Sequence, residues 1–252
     1  MSQERYSLVL VVPCFNEASR LRHSEILQWA DRRADWLWLL VNDGSTDGTQ
    51  QILESLQARR PNINILALPQ NGGKAQAVRE GLRQAGTRHE SPWLGYLDAD
   101  FATPPGEIER LFNLHQHGRF DFVLGSRVRR LGTVIERSPL RHYFGRVGAT
   151  MISMLLQMPT YDTQCGAKLL RRSLVPILFS EPLVSRWLFD VELLARYRNH
   201  FGLPETLSRV IEEPLESWKE KAGSKLRPKD LLRIPGELWR LHKRYNARNC
   251  RL

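Results

Sequence analysis

The chain has 252 residues, 42% of them hydrophobic and 25% charged, which is ordinary globular composition and excludes wholesale disorder and low-complexity classes. Its formal net charge of +10 is unevenly spread, because residues 1–140 carry +1 whereas residues 219–252 alone carry +8. Three widely separated cysteines, Cys14, Cys165 and Cys250, exclude a disulfide framework or a zinc ribbon and fit a reducing cytosol.

The first half of the chain alternates short apolar runs with amphipathic stretches. The apolar runs predict buried strands at residues 6–12, 36–41, 63–68, 93–97 and 120–124. The stretches between them predict helices at residues 17–35, 49–59, 74–85 and 107–117. This alternation predicts an α/β fold with a mostly parallel sheet and helices on both faces. In such a sheet, ligands bind beyond the carboxyl ends of the strands.

The second half is less regular. It predicts helices at residues 139–158, 185–199 and 229–245, and a strand-like stretch at residues 207–216. We find no internal repeat or linker, so we expect one catalytic domain over residues 1–228, followed by a basic amphipathic segment over residues 229–252. The N-terminus has no signal-peptide features, and the longest uncharged stretch, residues 147–161, is shorter than the roughly twenty apolar residues that span a bilayer.

Polar motifs follow three consecutive predicted strands. Asp98 and Asp100 end the fourth strand, and two such carboxylates can share a divalent cation with a diphosphate. Asp43 follows the second strand, where it can accept hydrogen bonds from a base or a ribose. Asn71-Gly-Gly-Lys74 follows the third, and a lysine beside glycines at a helix start suits phosphate. Each motif alone also fits a plain turn or a helix cap, but together they favour one nucleotide-binding edge.

Five motifs together resemble the inverting family 2 glycosyltransferases, which have the Rossmann-like GT-A fold. They are Val12-Pro-Cys-Phe-Asn-Glu17, Asn42-Asp-Gly-Ser-Thr-Asp47, Asn71-Gly-Gly-Lys74, Asp98-Ala-Asp100 and Gly125-Ser-Arg127. The second half is similar to the dolichyl-phosphate β-glucosyltransferase branch, near the dolichyl-phosphate mannose synthases. Its matching segments are Asp162-Thr-Gln-Cys-Gly-Ala-Lys168, Arg186-Trp-Leu-Phe-Asp190-Val-Glu-Leu-Leu194 and residues 218–226. Ala102 stands where mannose synthases commonly have Gln, which favours UDP-glucose over GDP-mannose.

The resemblance implies roles for individual residues. The nucleotide-sugar site would include Pro13, Phe15, Glu17, Asp43, Lys74, Asp98, Gln164, Lys168 and Ser224. Asp98 and Asp100 would hold Mg²⁺ or Mn²⁺. The catalytic groups would be Asp190, Arg127 and Lys225, and the acceptor phosphate would bind Arg141 and Arg146. Salt bridges on a surface helix are an equal alternative for these last two arginines.

The implied reaction is an inverting, metal-dependent transfer of a hexose, glucose from UDP-glucose, onto a polyprenyl or dolichyl phosphate. Three alternatives stay open: a GDP-mannose-dependent mannosyltransferase, transfer to a soluble hydroxyl acceptor, and a nucleotide-binding regulator without turnover. Asp190 is either a general base or an orienting residue, because a lipid monophosphate is largely dianionic at neutral pH whereas an alcohol needs a base. A Rossmann dehydrogenase is disfavoured, since no Gly-x-Gly-x-x-Gly follows the first strand.

The basic C-terminal segment has three interpretations: nucleic-acid binding, a solvated face, or a helix at a membrane surface. We favour the third, in which Leu231, Ile234, Leu238 and Leu241 form an apolar stripe with Trp239 at the interface. Residues 143–156 are a second candidate contact, for which core packing is an equal alternative. We therefore expect an anionic membrane surface as a partner, no nucleic acid, and a peripheral location on the cytoplasmic face of a membrane.

Overall fold

The computed structural model describes residues 6–136, 139–220 and 234–245, with the backbone alone for residues 139–144. Among these residues one large sheet contains β1 (Leu8–Cys14), β2 (Trp36–Asp43), β3 (Ile63–Leu68), β4 (Trp93–Leu97), β5 (Phe122–Ser126), β7 (Ala167–Arg171) and β8 (Val210–Pro214). The strands lie in the order β3-β2-β1-β4-β7-β5-β8. Only β7 runs antiparallel to its neighbours among the strands described. A separate parallel pair joins β6 (Val134–Glu136) to β9 (Ser217–Lys219).

Helices cover both faces of this sheet. They are α1 (His23–Arg32), α2 (Thr49–Gln57), α3 (Lys74–Arg88), α4 (Pro105–His115), α5 (Pro139–Leu156), α6 (Val175–Leu178), α7 (Phe189–Phe201), α8 (Leu203–Arg209) and α9 (Ile234–Tyr245). Successive residues of β1 alternate between two hydrophobic clusters. Val9 and Val11 join one cluster with α3, α7 and α9, whereas Leu8 and Leu10 join the other with α1, α2 and α4. Burial on both faces explains why this strand is a continuous apolar run.

The predicted α/β fold class is confirmed, with two local differences. Residues 207–216 were expected to be a strand, but α8 continues to Arg209 and β8 begins at Val210. The antiparallel strand β7 has no counterpart among the predicted elements. Its apolar run is interrupted by Lys168, whose side chain is nevertheless fully buried. A charged residue inside a core strand hides the hydrophobic pattern on which strand prediction depends.

The C-terminal helix α9 packs against the helices on one face of the sheet. Leu238, Leu241 and Tyr245 are buried in the cluster that also contains α3 and α7. The expectation that Leu238 and Leu241 face a membrane is therefore wrong, because both side chains point into the core. Trp239 on the same helix is 63% exposed. Leu231 and the expected boundary at residue 228 lie outside the described residues.

No helix in the described parts of the chain is both long enough and apolar enough to cross a bilayer. The longest of them, α5, has 18 residues and includes three glycine or threonine positions in its middle, Gly145, Gly148 and Thr150.

Candidate active site

The loops that follow β1 and β2 are tied to each other at the carboxyl edge of the sheet. Asn16 has a φ of 50°, a left-handed conformation that asparagine tolerates better than most residues. Its backbone N–H donates to the Ser45 hydroxyl at 3.0 Å, and the Glu17 N–H donates to Thr49 Oγ1 at 2.8 Å. Pro13 and Phe15 are half-buried and Glu17 is buried, so the expected nucleoside-pocket residues lie on a braced turn.

Asp43 organises the glycine turn that precedes α3. Its Oδ1 accepts the Gly72 N–H at 2.9 Å, and its Oδ2 accepts the Gly73 N–H at 2.8 Å and the Asn71 side-chain amide at 2.9 Å. Gly73 has a φ of 86°, which favours glycine. Asp43 was expected to meet a base or a ribose. In this structure its carboxylate holds the turn that positions Lys74, and the contact with a base or a ribose stays a prediction.

Lys74 and Asp98 form an ion pair at this edge, with 2.5 Å between Nζ and Oδ1. Burial lowers the pKa of Lys74, but the carboxylates of Asp98, Asp190 and Asp100 outweigh burial and raise that pKa above its ordinary value. The Asp98 backbone N–H donates to the Gly166 carbonyl at 3.1 Å. The end of β4 is thereby fixed to the start of β7, with the lysine ammonium held beside two acidic residues.

Asp100 carries negative charge that the described protein only partly neutralises. Burial and the neighbouring Asp98 raise its pKa, although the Ala102 N–H donates to its Oδ1 at 2.9 Å. Phe101, the next residue, has a φ of 49° and is buried. A left-handed conformation is costly for a bulky residue, so this turn holds local strain beside the carboxylate pair.

The Asp98 and Asp100 pair fits a divalent cation. Within the described ranges, no group of three or more His, Cys, Asp or Glu side chains could hold a metal ion. Mg²⁺ is commonly bound by one or two carboxylates together with substrate phosphates, so a pair of this kind suffices. Burial, and after it the Asp98 charge, raise the pKa of Asp100, and a bound cation would stabilise its ionised carboxylate.

Asp190, in the first turn of α7, is a third carboxylate that acts on Lys74. It is 2% exposed, and its Oδ1 lies 3.1 Å from Lys168 Nζ and accepts the Tyr96 hydroxyl. Burial and the Asp190 charge raise the pKa of Tyr96 well above its ordinary value, so the hydroxyl stays protonated and can donate. Lys168 was expected at the donor sugar. Its ammonium is instead fully buried between Asp190 and the Cys165 carbonyl.

Arg127 is held by an acidic partner rather than left open to a ligand. Its Nε and Nη2 donate to the two oxygens of Asp162 at 2.6 and 2.7 Å, and its guanidinium lies over the Trp218 ring. Burial lowers the pKa of Arg127, but Asp162 outweighs burial and raises it. Arg127 therefore pairs with Asp162 in this structure, whereas we expected it to face the sugar or the phosphate.

The remaining predicted residues divide into described and undescribed ones. Gln164 is half-buried, with its amide 3.4 Å from Thr163 Oγ1. Arg146 lies over the Tyr161 ring at 3.7 Å, and its buried Nη1 has no hydrogen-bond partner within the described residues. The Arg141 side chain, Ser224 and Lys225 lie outside the described residues.

Our sequence analysis did not identify Tyr96 or Asp162 as site residues. Tyr96 pairs with Lys168 in the register of β4 and β7, which brings the Asp190 partners together from two strands. Tyr96 could have been found from the sequence, because it lies two residues before Asp98 and alternate residues of a strand share a face. Asp162 opens a motif already quoted for the resemblance, but nothing local to it indicated Arg127 as its partner.

Comparisons with known proteins identify the family of the chain. The family model for glycosyl transferase family 2 matches residues 9–178. The chain is 33% identical over 242 residues to dolichyl-phosphate beta-glucosyltransferase ALG5C of Trichomonas vaginalis, covering 90% of this chain and 68% of that protein. Mannosyl-3-phosphoglycerate synthase from Rubrobacter xylanophilus has a similar fold, with a TM-score of 0.71 at 17% identity, covering 98% of this chain and 76% of that one.

A second solved structure with this fold is glucosyl-3-phosphoglycerate synthase from Mycobacterium tuberculosis, in complex with Mn²⁺, UDP and phosphoglyceric acid. Its TM-score is 0.67 at 16% identity, over 94% of this chain and 78% of that one. Likeness at this level of identity concerns the fold alone. The family model covers well over half of the chain. The Trichomonas vaginalis glucosyltransferase is 33% identical to this chain over 90% of its residues. The chain therefore belongs to glycosyl transferase family 2.

Proposed function

We propose that this glycosyltransferase moves glucose, with inversion, from UDP-glucose to a polyprenyl phosphate such as dolichyl phosphate, with Mg²⁺ or Mn²⁺ as cofactor. One observation carries the proposal. The Lys74, Asp98 and Asp100 cluster lies at the carboxyl edge of the sheet in a chain that is 33% identical to a dolichyl-phosphate beta-glucosyltransferase. The cluster supports binding of a diphosphate together with a metal ion. The similarity to the dolichyl-phosphate beta-glucosyltransferase supports the choice of sugar and acceptor.

The donor half of the reaction would use Asp98, Asp100 and Lys74. A divalent cation held by the two carboxylates would neutralise the charge that develops on the leaving diphosphate. The Lys74 ammonium stays protonated, because its pKa is raised, and it adds a second positive charge at the same place. Asp43 accepts the N–H groups of Gly72 and Gly73, so Lys74 is the group of this turn that would meet the diphosphate.

The environment of Asp190 supports a phosphate acceptor over an alcohol. Its Oδ1 is occupied by the Tyr96 hydroxyl and the Lys168 ammonium, so that oxygen is poorly placed to remove a proton from a substrate. A lipid monophosphate has a second pKa of about 6 and needs little deprotonation before it attacks the anomeric carbon. We therefore assign Asp190 an orienting role, in which it fixes Lys168 and adds negative potential at Lys74.

Arg146 is the described candidate for the acceptor phosphate. Its ring contact with Tyr161 fixes the plane of the guanidinium, and Nη1 has no hydrogen-bond partner in the described part of the chain. A fixed guanidinium fork suits bidentate binding of phosphate. Arg141, five residues earlier on α5, keeps the same proposed role on the basis of the sequence.

The membrane contact proposed here involves α5 together with α9. Val147, Met151 and Met154 form a stripe on α5, with exposed fractions of 62%, 47% and 75%. The two helices are in contact, and α9 exposes Trp239. Exposed basic residues lie beside it on α9, namely Arg240, Lys243 and Arg244. An apolar stripe on one helix and exposed cations on a helix in contact with it suit an anionic membrane surface, and we propose a peripheral location on the cytoplasmic face.

The proposal is tested by a transfer assay with radiolabelled UDP-glucose or GDP-mannose. Each donor is incubated with a polyprenyl phosphate, with 3-phosphoglycerate, or without acceptor, and with or without Mg²⁺ or Mn²⁺. We expect label from UDP-glucose in the butanol-extractable lipid only when lipid phosphate and metal are both present. Label from GDP-mannose alone, label in phosphoglycerate, or transfer in excess EDTA would overturn the donor, the acceptor or the metal assignment respectively.

A further inference from the structure

The segment before α7 is held in place by side chains from several helices. Arg79 on α3 donates from Nε to the Glu181 carbonyl at 3.0 Å and from Nη2 to the Ser180 carbonyl at 2.9 Å. Arg196 on α7 donates to the carbonyls of Leu178, Glu181 and Pro182. These buried guanidinium groups fix the carbonyl side of the segment, so its path depends on packing between helices rather than on local turn preference.

Two buried glutamates accept hydrogen bonds from backbone N–H groups of the segment before α7. Glu192 Oε2 accepts the N–H groups of Val184 and Ser185 at 2.8 and 2.9 Å. Glu237 Oε2, which α9 contributes, accepts the Ser185 hydroxyl and the N–H groups of Trp187 and Leu188. The Ser185 hydroxyl also accepts the Leu188 N–H at 2.7 Å. Glu237 is only 4% exposed. A buried carboxylate needs hydrogen-bond donors, and this turn supplies three of them to Glu237.

This turn carries Arg186 to the site. The side chain is exposed, and Nη2 lies 3.4 Å from Asn71 Oδ1 in the glycine turn. A β-carbon added at Gly73 would lie 2.8 Å from Arg186 Nε, so glycine is needed there for the guanidinium to come this close. No carboxylate of the described residues forms an ion pair with Arg186. Arg186 approaches Gly73, and Lys74 follows it in the chain, so two cationic side chains begin or end at this turn.

We infer that Glu237 is a positioning residue, which holds the Ser185–Leu188 turn so that Arg186 can bind a substrate phosphate beside Lys74. The inference rests on the proposed function, since that function supplies the phosphates. The Arg186 guanidinium lies beside the glycine turn and forms no ion pair with a described carboxylate, so it can bind an anionic substrate. The phosphate bound by Arg186 belongs either to the donor diphosphate or to the acceptor monophosphate.

The experiment compares Glu237→Gln, Glu237→Ala and Arg186→Ala with the unaltered chain. A glutamine carbonyl can accept the same hydrogen bonds, so Glu237→Gln should keep KM within about twofold. Glu237→Ala and Arg186→Ala should each raise one KM about tenfold with a smaller change in kcat. The double variant should be no worse than Arg186→Ala, because both changes remove one interaction.

The two phosphate sources are separated by measuring KM for UDP-glucose and for polyprenyl phosphate independently. UDP binding by titration calorimetry with Mn²⁺ adds a measurement that needs no turnover. A weaker UDP affinity in Arg186→Ala assigns the donor diphosphate, and unchanged UDP affinity with a raised acceptor KM assigns the lipid phosphate. The control is Glu181→Ala, since Glu181 also pairs with α9, through Arg244, but is exposed and should leave both constants unchanged.

A purely structural role for Glu237 predicts another pattern. Glu237→Ala would then lower the melting temperature and kcat, leave both KM values and the UDP affinity unchanged, and add fully to Arg186→Ala; this result would overturn the inference. Should Glu237→Ala not fold, Ser185→Ala removes two hydrogen bonds of the same turn, only one of them to Glu237, and should raise the same KM by a smaller factor. Failure of the unaltered chain to transfer any sugar would overturn the proposed function, whereas UDP calorimetry would still test Arg186.

Discussion

The α-carbon of Gly166 lies against the carboxylate of Asp98, so closely that a β-carbon at position 166 would overlap with the Asp98 oxygens. The Gly166 carbonyl also accepts the Asp98 N–H at 3.1 Å. On its other side the Asp98 carboxylate meets the Lys74 ammonium. Gly166 and Lys74 therefore both position Asp98, one of the two proposed metal ligands. The orientation of its carboxylate depends on the missing side chain at position 166.

We expect Gly166→Ala to displace the Asp98 carboxylate and to lower kcat/KM by about tenfold or more. Overpacking at a closely packed position typically costs about 1–3 kcal/mol, and about 1.4 kcal/mol corresponds to a factor of ten in rate. The measurement is steady-state transfer as a function of Mn²⁺ concentration. Gly148→Ala is the matched control, since a β-carbon there meets no atom within 4 Å. Equal activity of the two variants would contradict this account of Asp98.

Asp100→Asn should stabilise the metal-free protein at neutral pH while abolishing metal-dependent transfer. Burial and the Asp98 charge raise the Asp100 pKa above its unfolded value. A carboxyl of this kind favours the folded state at pH below its unfolded pKa, and that stability is lost as pH rises through the folded pKa. At pH 7 the ionised Asp100 therefore destabilises the fold. A stability change of about 1 kcal/mol moves Tm by about 2–4 °C in a chain of this size.

The measurement for Asp100 is thermal unfolding in EDTA between about pH 4 and pH 8, repeated with Mn²⁺ and UDP. The unaltered protein should gain Tm with Mn²⁺ and UDP, and Asp100→Asn should gain little. Asp121→Asn is the control, because burial also raises the pKa of Asp121, which accepts the Tyr197 hydroxyl instead of lying at the site. A lower Tm for Asp100→Asn in EDTA would show that Asp100 stabilises the apo fold, contrary to its raised pKa.

The sequence was informative where function depends on residues next to a strand end. Asp43, Lys74, Asp98 and Asp100 were found because each follows a buried apolar run, and runs of this kind are local patterns. The parallel part of the sheet and its helices on both faces followed from the same patterns. These elements could be predicted because each one is specified within about ten residues.

The partners of the charged residues could not be predicted in this way. Lys168 and Asp190 come from β7 and α7, 22 positions apart, and Arg127 meets Asp162 across 35 positions. Such pairs form because a buried charge needs a partner, and the sequence does not say which of several acids provides it. The same reasoning applies to α9. Its apolar stripe fits a membrane and a protein core equally well, and only the packed structure turns Leu238 and Leu241 inward.

The Lys168 and Asp190 pair should behave as one unit in stability measurements. Asp190→Asn leaves a fully buried ammonium without its carboxylate, and breaking a buried pair typically costs about 3–5 kcal/mol. The double variant Lys168→Met, Asp190→Asn removes both charges and should recover part of that loss. Urea unfolding of the two single variants and the double variant gives the coupling energy. Strict additivity would contradict the pairing.

Turnover by a stable Asp190 variant distinguishes orientation from base catalysis. With a polyprenyl-phosphate acceptor, Asp190→Asn should lower kcat only partly, whereas Asp100→Ala should abolish transfer. The reason is that the acceptor phosphate is already largely ionised at neutral pH. The comparison is made at a temperature where both variants remain folded. A loss in Asp190→Asn as complete as that in Asp100→Ala would favour a general base.

The exposed α5 stripe should carry much of any membrane affinity. We expect the triple substitution of Val147, Met151 and Met154 by serine to weaken binding to vesicles that contain anionic lipid, by about tenfold or more. The reason is that each exposed side chain loses the apolar area it would bury among the acyl chains, at about 25 cal/mol per Å². Co-sedimentation measures the change, and activity on a water-soluble, short-chain prenyl phosphate should persist.

Leu114 and Leu207 provide the control for this membrane prediction, because they are 55% and 53% exposed but lie on α4 and α8. Their replacement by serine should leave co-sedimentation unchanged. Replacing Lys243 and Arg244 by glutamine should remove the salt-sensitive part of binding, since screening acts on charges near the surface and not on buried apolar area. Binding that survives the α5 substitutions but is lost in high salt would reduce the contact to its basic residues, and α5 would then have no part in it.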